Sequence, residues 1–139
     1  MQNYTSTNHN YRANQVYYIF AGSPNTPDYV LAQLALNQNE RVRQRVAENT
    51  NTHAQVLIDL ISDPSTEVRV AVANNPNLPL LWMRFMAYDQ SADVRLGMAD
   101  NVMAPPVVLL QLARDENPFV SARAKRSIAQ RAEAELFLH

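Results

Sequence analysis

Three evenly spaced arginines are the residues of this chain best placed to bind an anion. Arg43, Arg69 and Arg95 recur at a constant interval, and Asp63 and Asp89 stand six residues before the second and third of them. A row of guanidinium groups can bind phosphates through paired N–H donors. The same groups can instead pair with carboxylates and brace neighbouring segments. The spacing alone is compatible with both uses.

Acidic and amide side chains repeat close to these arginines. Glu48, Asn74 and Asp100 keep the same interval, and Glu67 and Asp93 each stand directly before a valine. We take these five residues as candidates for an inner face that contacts a partner. Carboxylates on that face would repel a nucleic-acid backbone, so nucleic acid is not the partner that we expect.

The sequence contains none of the usual catalytic patterns. It has no cysteine, and its three histidines lack the i, i+3 or i, i+4 spacing of a metal site. A glycine-rich phosphate loop, a nucleophile elbow and a zinc-protease helix motif are all missing. We therefore expect a protein that is not an enzyme and that holds no metal and no cofactor.

The apolar residues recur at the same interval of 26 residues as the charged ones. Valine recurs at positions 42, 68, 94 and 120, and proline at positions 27, 79 and 105 with His53 between them. A fixed period of about 20–50 residues is typical of repeat arrays, in which each repeat buries its apolar face against its neighbours.

Each repeat contains two short helical patterns. The first has apolar residues at i, i+1, i+4 and i+5, starting at Val30, Val56, Trp82 and Val108. The second follows a predicted N-cap residue at Asn39, Ser65, Ser91 or Asn117. It ends before Asn49, Asn75 or Asn101, where we expect asparagine to stop the helix in the left-handed conformation.

These patterns predict an all-α fold, a short right-handed α-solenoid of four 26-residue two-helix repeats with half-repeat caps. We expect a single domain over residues 1–139, with the repeats at 24–127. Residues 1–12 are expected to form a loosely ordered tail, 13–23 an N-terminal half-repeat cap and 118–139 a C-terminal capping helix.

The string Asp63-Pro-Ser-Thr-Glu-Val-Arg-Val-Ala-Val-Ala-Asn-Asn-Pro, followed by Leu78-Pro79, resembles the leucine-rich repeat variant family. The resemblance covers about residues 24–127 and places the chain among HEAT-like helical repeats. It implies a binding or scaffolding role, with Arg43, Arg69, Arg95, Asp63 and Asp89 bracing neighbouring repeats as a structural ladder. The period of the chain is longer than that of the best-known members of the family, and the chain lacks the cysteine-rich iron–sulfur segment found in one such protein.

The third repeat differs from the others in three residues. Leu81, Phe85 and Tyr88 are apolar where other repeats carry polar or mixed residues, and their spacing puts them on one line of a helix. They form either an exposed patch for a partner or for self-association, or the end of the core beside Trp82. The sequence leaves both interpretations open.

Composition agrees with a globular protein that has no strong electrostatic preference. Hydrophobic residues make up 47% of the 139 residues, charged residues 18%, and the net charge is −1. We expect a cytoplasmic protein-interaction or scaffolding module that binds a peptide or a small protein domain, with self-association compatible with the open ends of a short array. No membrane contact is expected. The alternative is a HEAT-like nucleic-acid-binding protein, similar to a DNA glycosylase, that uses the arginine ladder.

Overall fold

The computed structural model describes the backbone of residues 3–138 and the side chains of residues 6–138. This part of the chain is helical and contains no strand, which confirms the prediction of an all-α fold. Its nine helices are α1 (Asn3–Gly22), α2 (Asp28–Leu34), α3 (Glu40–Glu48), α4 (Ala54–Asp59), α5 (Thr66–Asn74), α6 (Leu80–Met86), α7 (Ala92–Ala99), α8 (Pro106–Leu112) and α9 (Pro118–Phe137).

The helices begin at regular intervals. Helices α2, α4, α6 and α8 begin at residues 28, 54, 80 and 106, and α3, α5, α7 and α9 at residues 40, 66, 92 and 118. Both series advance by the interval found in the sequence. Helices α2 to α8 have only six to nine residues each. Because isolated helices of this length are marginal in water, they depend on packing against one another.

The helices are grouped in two compact units, Met1–Asn77 and Leu78–His139, which we call the N-terminal unit and the C-terminal unit. In the N-terminal unit, α3 contacts α1, α2 and α5. In the C-terminal unit, α9 packs against α7 and α8, and α8 also contacts α6 and α7. The expectation of a single domain over the whole chain stays a prediction.

Each unit buries the apolar positions that recur in the sequence. In the N-terminal unit the buried side chains include Leu31, Leu34, Val42, Val46, Leu57, Leu60, Val68 and Val72. In the C-terminal unit they include Met83, Met86, Val94, Met98, Val108, Leu109, Leu112 and Val120. Burial of these side chains supplies the main favourable free energy for helices that are too short to be stable alone.

The predicted N-cap residues all cap helices. The side chains of Asn39 and Asn117 accept hydrogen bonds from backbone N–H groups at 2.9 Å. Ser65 and Ser91 do the same at 3.4 and 3.2 Å. His53 occupies the position of the missing proline, and its backbone angles (φ −66°, ψ 149°) match those of Pro79 (φ −61°, ψ 146°).

The helix ends differ from the prediction in their backbone conformation. Asn49 and Asn75 directly follow α3 and α5, as expected, but both are extended, with φ of −71° and −76°. No residue within 3–138 other than glycine has a positive φ. The predicted left-handed stop is therefore wrong. The reason is that each asparagine directs its side-chain amide back to carbonyl groups earlier in the chain.

The N-terminal helix is longer than the sequence pattern suggested. Helix α1 begins at Asn3, whereas the expected cap began at residue 13 and followed a loosely ordered tail. The tail is thus helical from Asn3, and residues 1–2 lie outside the described part. Residues 6–12 are exposed and lack an apolar stripe. A helix can extend without such a stripe because each added residue gains one hydrogen bond on an existing turn.

The C-terminal end follows the prediction more closely. Residues 118–137 form one long helix, α9, which buries Val120, Ala124 and Ser127. Its remaining residues after position 131 are exposed up to Leu138, and His139 lies outside the described residues. The segment predicted to form the C-terminal capping helix is therefore helical over Pro118–Phe137.

Candidate interaction site

In the N-terminal unit, Arg43 joins the turn before α3 to the turn before α5. Its Nε and Nη2 donate to the two carboxylate oxygens of Asp63 at 2.7 and 3.1 Å. Its Nη1 donates to the backbone carbonyls of Asn37 and Gln38 at 2.8 and 3.0 Å. All three nitrogens of this guanidinium group are thus used within the protein, which is the arrangement that a bracing residue requires.

The ion pair lies in a largely desolvated position. The side chain of Asp63 is 4% exposed and that of Arg43 is 14% exposed. The hydrogen bonds that Asp63 accepts raise the pKa of Arg43 above its ordinary value, because they favour the charged guanidinium more than burial disfavours it. The pairing with Asp63 therefore favours the charged form of Arg43.

Arg69 occupies the same position in the next repeat and is buried. Its Nη1 donates to the backbone carbonyl of Asp63 at 2.8 Å, six residues earlier. Asp63 thus has two roles: its carboxylate accepts hydrogen bonds from Arg43, and its backbone carbonyl accepts one from Arg69. The structure therefore assigns different atoms of one aspartate to two arginines.

The C-terminal unit repeats this arrangement. Arg95 donates from Nε and Nη2 to Asp115 at 2.8 and 3.4 Å, and from Nη1 to the carbonyl of Asp89 at 2.6 Å. The partner carboxylate again comes 20 residues after the arginine, and the partner carbonyl six residues before it. Asp89 therefore contributes its backbone oxygen to Arg95, and Asp115 contributes the carboxylate. Asp115 was not among the residues predicted for the arginine ladder.

The aspartates also stabilise their own turns. Asp63, Asp89 and Asp115 each accept a hydrogen bond from the backbone N–H two residues later at 2.8–2.9 Å. Asn37 makes the same bond in the first repeat, at 2.8 Å. Such Asx turns position the N-cap residue of the following helix. Aspartate at this position therefore serves both the turn and the arginine.

Two asparagines form a second, buried network in the N-terminal unit. The Nδ2 group of Asn49 donates to the carbonyls of Ala21 and Ser23 at 2.8 and 2.9 Å. The Nδ2 group of Asn75 donates to those of Ala47 and Asn49 at 2.8 and 2.9 Å. Sequence analysis placed these asparagines at the helix ends but missed the role of their side chains.

Ser127 provides a related contact in the C-terminal unit. Its buried hydroxyl donates to the carbonyl of Ala99 at 2.6 Å, 28 residues earlier in the chain. That separation equals the one between Asn75 and Ala47. Ser127 also stands one repeat interval after Asn101, so the repeat register could have identified it from the sequence.

The predicted inner-face residues of the N-terminal unit lie together. Glu48, Glu67 and Asn74 line a groove of about 340 Å³ between α3 and α5. Glu48 accepts hydrogen bonds from Gln44 and Arg45 at 2.9 and 3.2 Å. The groove is small and shallow, and the charge of Glu48 is partly neutralised by neighbours on the same helix.

The other two predicted inner-face residues belong to the C-terminal unit. Asp93 lies in the first turn of α7 and is exposed. Asp100, directly after α7, forms an exposed ion pair with Arg123 of α9 at 2.9 Å. An exposed pair of this kind contributes little to stability, since water screens both charges.

The three unusual residues of the third repeat lie on the surface. Leu81 and Phe85 belong to α6, whereas Tyr88 lies in the turn after the helix ends at Met86. The predicted single helical line is therefore wrong for Tyr88, because α6 stops two residues before it. Leu81, Phe85 and Tyr88 are 73%, 60% and 78% exposed, whereas Met83 and Met86 on the opposite side of the helix are buried. This observation decides between the two interpretations that the sequence left open. The ring of Phe85 also makes an edge-to-face contact with half-buried Trp82, with 5.8 Å between the ring centroids. We call Leu81, Phe85 and Tyr88 the α6 patch.

A groove of about 610 Å³ runs beside the α6 patch, between α6 and α8 of the C-terminal unit. Its apolar lining includes Tyr88, Val107 and Leu110, and its polar lining includes Arg84 and Arg114. These two arginine side chains form no ion pair or hydrogen bond with any residue that the structure describes. Asp115 and Glu116 also line the groove, and Asp115 is paired with Arg95. The groove therefore combines apolar walls, two arginines without internal partners among the described residues, and two carboxylates.

Where side chains are described, no group of three or more histidine, aspartate or glutamate residues is arranged to hold a metal ion. Within residues 3–138, no helix combines the length and apolar character needed to cross a membrane.

Comparison of this chain with protein-family models, curated proteins and solved structures found no match.

Proposed function

We propose that this protein is a non-catalytic protein-interaction module that binds a peptide or a small protein domain through the α6 patch. The observation that carries the proposal is the joint exposure of Leu81 and Phe85 on α6 and of Tyr88 in the turn that follows it. Exposed aromatic and aliphatic side chains in one patch mark interaction surfaces. Aromatic residues and arginines are also the types that contribute most to binding at such surfaces.

The groove beside the patch indicates the chemistry of the partner. Val107 and Leu110 offer apolar contacts, and Arg84 and Arg114 offer guanidinium groups without internal partners among the described residues. A segment with apolar side chains at helical spacing and one or two carboxylates matches both features. The carboxylates would accept paired N–H donors from the arginines, which fix orientation as well as adding affinity.

We also propose that the helices belong to a right-handed α-solenoid of four 26-residue repeats, as the resemblance to leucine-rich repeat variants implies. Helix starts that recur at that interval in both series support it. Recurrent caps and arginine contacts support it as well. A scaffold built in this way can present substituted residues of one repeat without altering the others.

The nucleic-acid alternative is less well supported. It relies on the arginine ladder, but Arg43 and Arg95 direct their guanidinium nitrogens to carboxylates and carbonyls. Binding a phosphate would require these contacts to break. We therefore favour a protein partner.

A peptide selection tests the proposal. A phage-displayed library of amphipathic peptides is selected against the full chain, and the enriched peptide is titrated by fluorescence anisotropy. We expect Phe85→Asp/Tyr88→Ser to weaken binding at least about tenfold, since aromatic anchors carry much of the affinity of such surfaces. The matched control is Tyr29→Ser/Phe119→Asp, which changes two similarly exposed aromatics on α2 and α9 and should leave affinity unchanged.

Two results would contradict the proposal. One is equal affinity of the enriched peptide for the wild-type chain and the Phe85→Asp/Tyr88→Ser variant. The other is an absence of enriched peptides together with strongly salt-dependent binding of labelled duplex DNA, which is typical of phosphate contacts. That second result would favour the alternative function.

A further inference from the structure

Helix α1 carries an apolar face that lies exposed. Val16 and Phe20 stand one repeat interval before Val42 and Val46, and they are 48% and 53% exposed, whereas the two valines are at most 1% exposed. Ile19, on the same side of the helix, is 69% exposed. The equivalent positions of α5, α7 and α9 are all buried as well.

The difference follows from the contacts of the two helices. Helix α3 contacts α1, α2 and α5, so helices cover it on several sides. Among the described residues, α1 packs mainly against α2 and α3. On the packed side of α1, Ala21 is buried and the Tyr18 ring lies 5.2 Å from the Arg45 guanidinium carbon. Within the part of the chain that the structure describes, the open side of α1 therefore exposes core-type residues to solvent.

We propose that this protein self-associates through Val16, Tyr17, Ile19 and Phe20, which we call the α1 face, with α1 of one copy packed against α1 of a second copy. Each α1 then occupies the position that a covering helix would take. In such a two-fold arrangement one surface is sufficient, because residue i contacts j while j contacts i.

Charge supports a second copy as the occupant. From Asn3 to Gly22, α1 contains no carboxylate, and its only arginine is Arg12. A strongly charged partner would find no complementary group there, whereas two identical, nearly neutral faces meet without repulsion. Packing of α1 against α9 of another copy fits less well, because α9 exposes Arg123, Lys125 and Arg126.

The available area predicts a weak dimer. With about 200 Å² for an aromatic side chain and somewhat less for an aliphatic one, the α1 face exposes roughly 350–400 Å² per copy. Stable interfaces bury about 800 Å² per partner. We therefore expect a dissociation constant of the order of tens to hundreds of micromolar, in the range of transient contacts.

The experiment is sedimentation velocity of the full chain over about 5–500 μM. For the wild-type chain we expect the weight-average mass to rise from 15.7 kDa towards twice that value. Val16→Glu/Phe20→Glu and Val16→Lys/Phe20→Lys should each remain monomeric, with unchanged far-UV circular dichroism. An equimolar mixture of the two variants should associate again, because opposite charges then meet across the two-fold axis.

Matched controls separate this surface from others. Tyr29→Glu alters an exposed residue of α2 and should leave self-association unchanged. Phe85→Asp/Tyr88→Ser should also leave it unchanged, so the peptide-binding proposal can fail independently. A wild-type chain that stays monomeric at every concentration overturns the inference. So does a mixture of Glu and Lys variants that does not associate, or loss of association in Phe137→Ser, which would place the exposed end of α9 in the contact.

Discussion

The turns of this protein and the outer surface of α6 use the repeat in opposite ways. In the turns, residues that keep the repeat interval are buried and make internal hydrogen bonds, as Asp63 and Asn75 do. On α6 and in the turn directly after it, residues that depart from the repeat pattern, such as Phe85 and Tyr88, are exposed. In these two regions, recurrent residues build the scaffold and residues that depart from the repeat lie exposed. Helix α1 differs, because Val16 and Phe20 keep the interval and are nevertheless exposed.

The comparison also changes the assignment of charged residues. Arg43 and Arg84 are both arginines, but only Arg43 recurs at the repeat interval. Arg43 has internal partners for all its nitrogens, whereas the Arg84 side chain has none among the described residues. An arginine outside the repeat pattern is thus the better candidate for binding.

The largest effect is expected from Asp63→Ala, which removes the carboxylate that Arg43 and the N–H of Ser65 use. Breaking a buried pair by removing one partner leaves the other uncompensated. Because Arg43 retains its two carbonyl contacts and some exposure, we expect the free energy of unfolding to fall by about 3 kcal/mol. Urea denaturation measures it.

Asp59→Ala is the matched control, since Asp59 is exposed and accepts a hydrogen bond from Gln55 on its own helix. It should change the free energy of unfolding by less than about 0.5 kcal/mol. If Asp63→Ala were as mild as Asp59→Ala, the contrast between buried recurrent residues and exposed ones would not hold.

A smaller effect is expected from Asn75→Ala. The substitution leaves the carbonyls of Ala47 and Asn49 without their amide donor and removes the acceptor for the N–H of Asn77. Buried polar groups left without partners cost about 1–3 kcal/mol. We expect a loss of about 2 kcal/mol in thermal or urea unfolding.

Asn75→Asp sharpens this result, because it keeps the acceptor for Asn77 but replaces the donor with an oxygen that faces two carbonyls. It should be at least as destabilising as Asn75→Ala. Wild-type stability in Asn75→Asp would show that the donor contacts to Ala47 and Asn49 contribute nothing.

The smallest effect on stability is expected from Tyr88→Ser on the α6 patch. Tyr88 is 78% exposed, and surface substitutions away from special contacts usually change stability by less than about 0.5 kcal/mol. Differential scanning calorimetry of the variant should reproduce the wild-type transition. A large drop in the melting temperature would mean that Tyr88 contributes to the core and not to a binding surface.

Much of the local structure could be predicted because it depends on periodic residues. Caps such as Ser65 and buried residues such as Val68 recur at the repeat interval, and burial and capping are properties of a position in a helix. The pattern does not contain the direction of a hydrogen bond. It therefore located Asn49 at a helix end but not its amide contacts.

The parts that sequence analysis missed depend on contacts between distant residues. The carboxylate that pairs with Arg43 comes 20 residues later in the chain. The sequence drew attention instead to the aspartates that stand six residues before Arg69 and Arg95. These aspartates alone did not identify the carboxylate partner. Exposure of Phe85 was equally undetermined, because an apolar residue outside the main stripe fits either a core or a surface. Only the packing of α6 decides it.

The contacts of Asn49 and Asn75 constrain how such a chain can change in length. The amide of Asn75 meets the backbone oxygen of Asn49, and the amide of Asn49 meets that of Ser23, each one full repeat earlier. Duplication of one whole repeat would copy donor and acceptor together, whereas a single-residue insertion in a turn would separate them. Growth of this protein in evolution is therefore expected to proceed by entire repeats, and artificial variants with one added repeat should be easier to obtain than variants with altered turns.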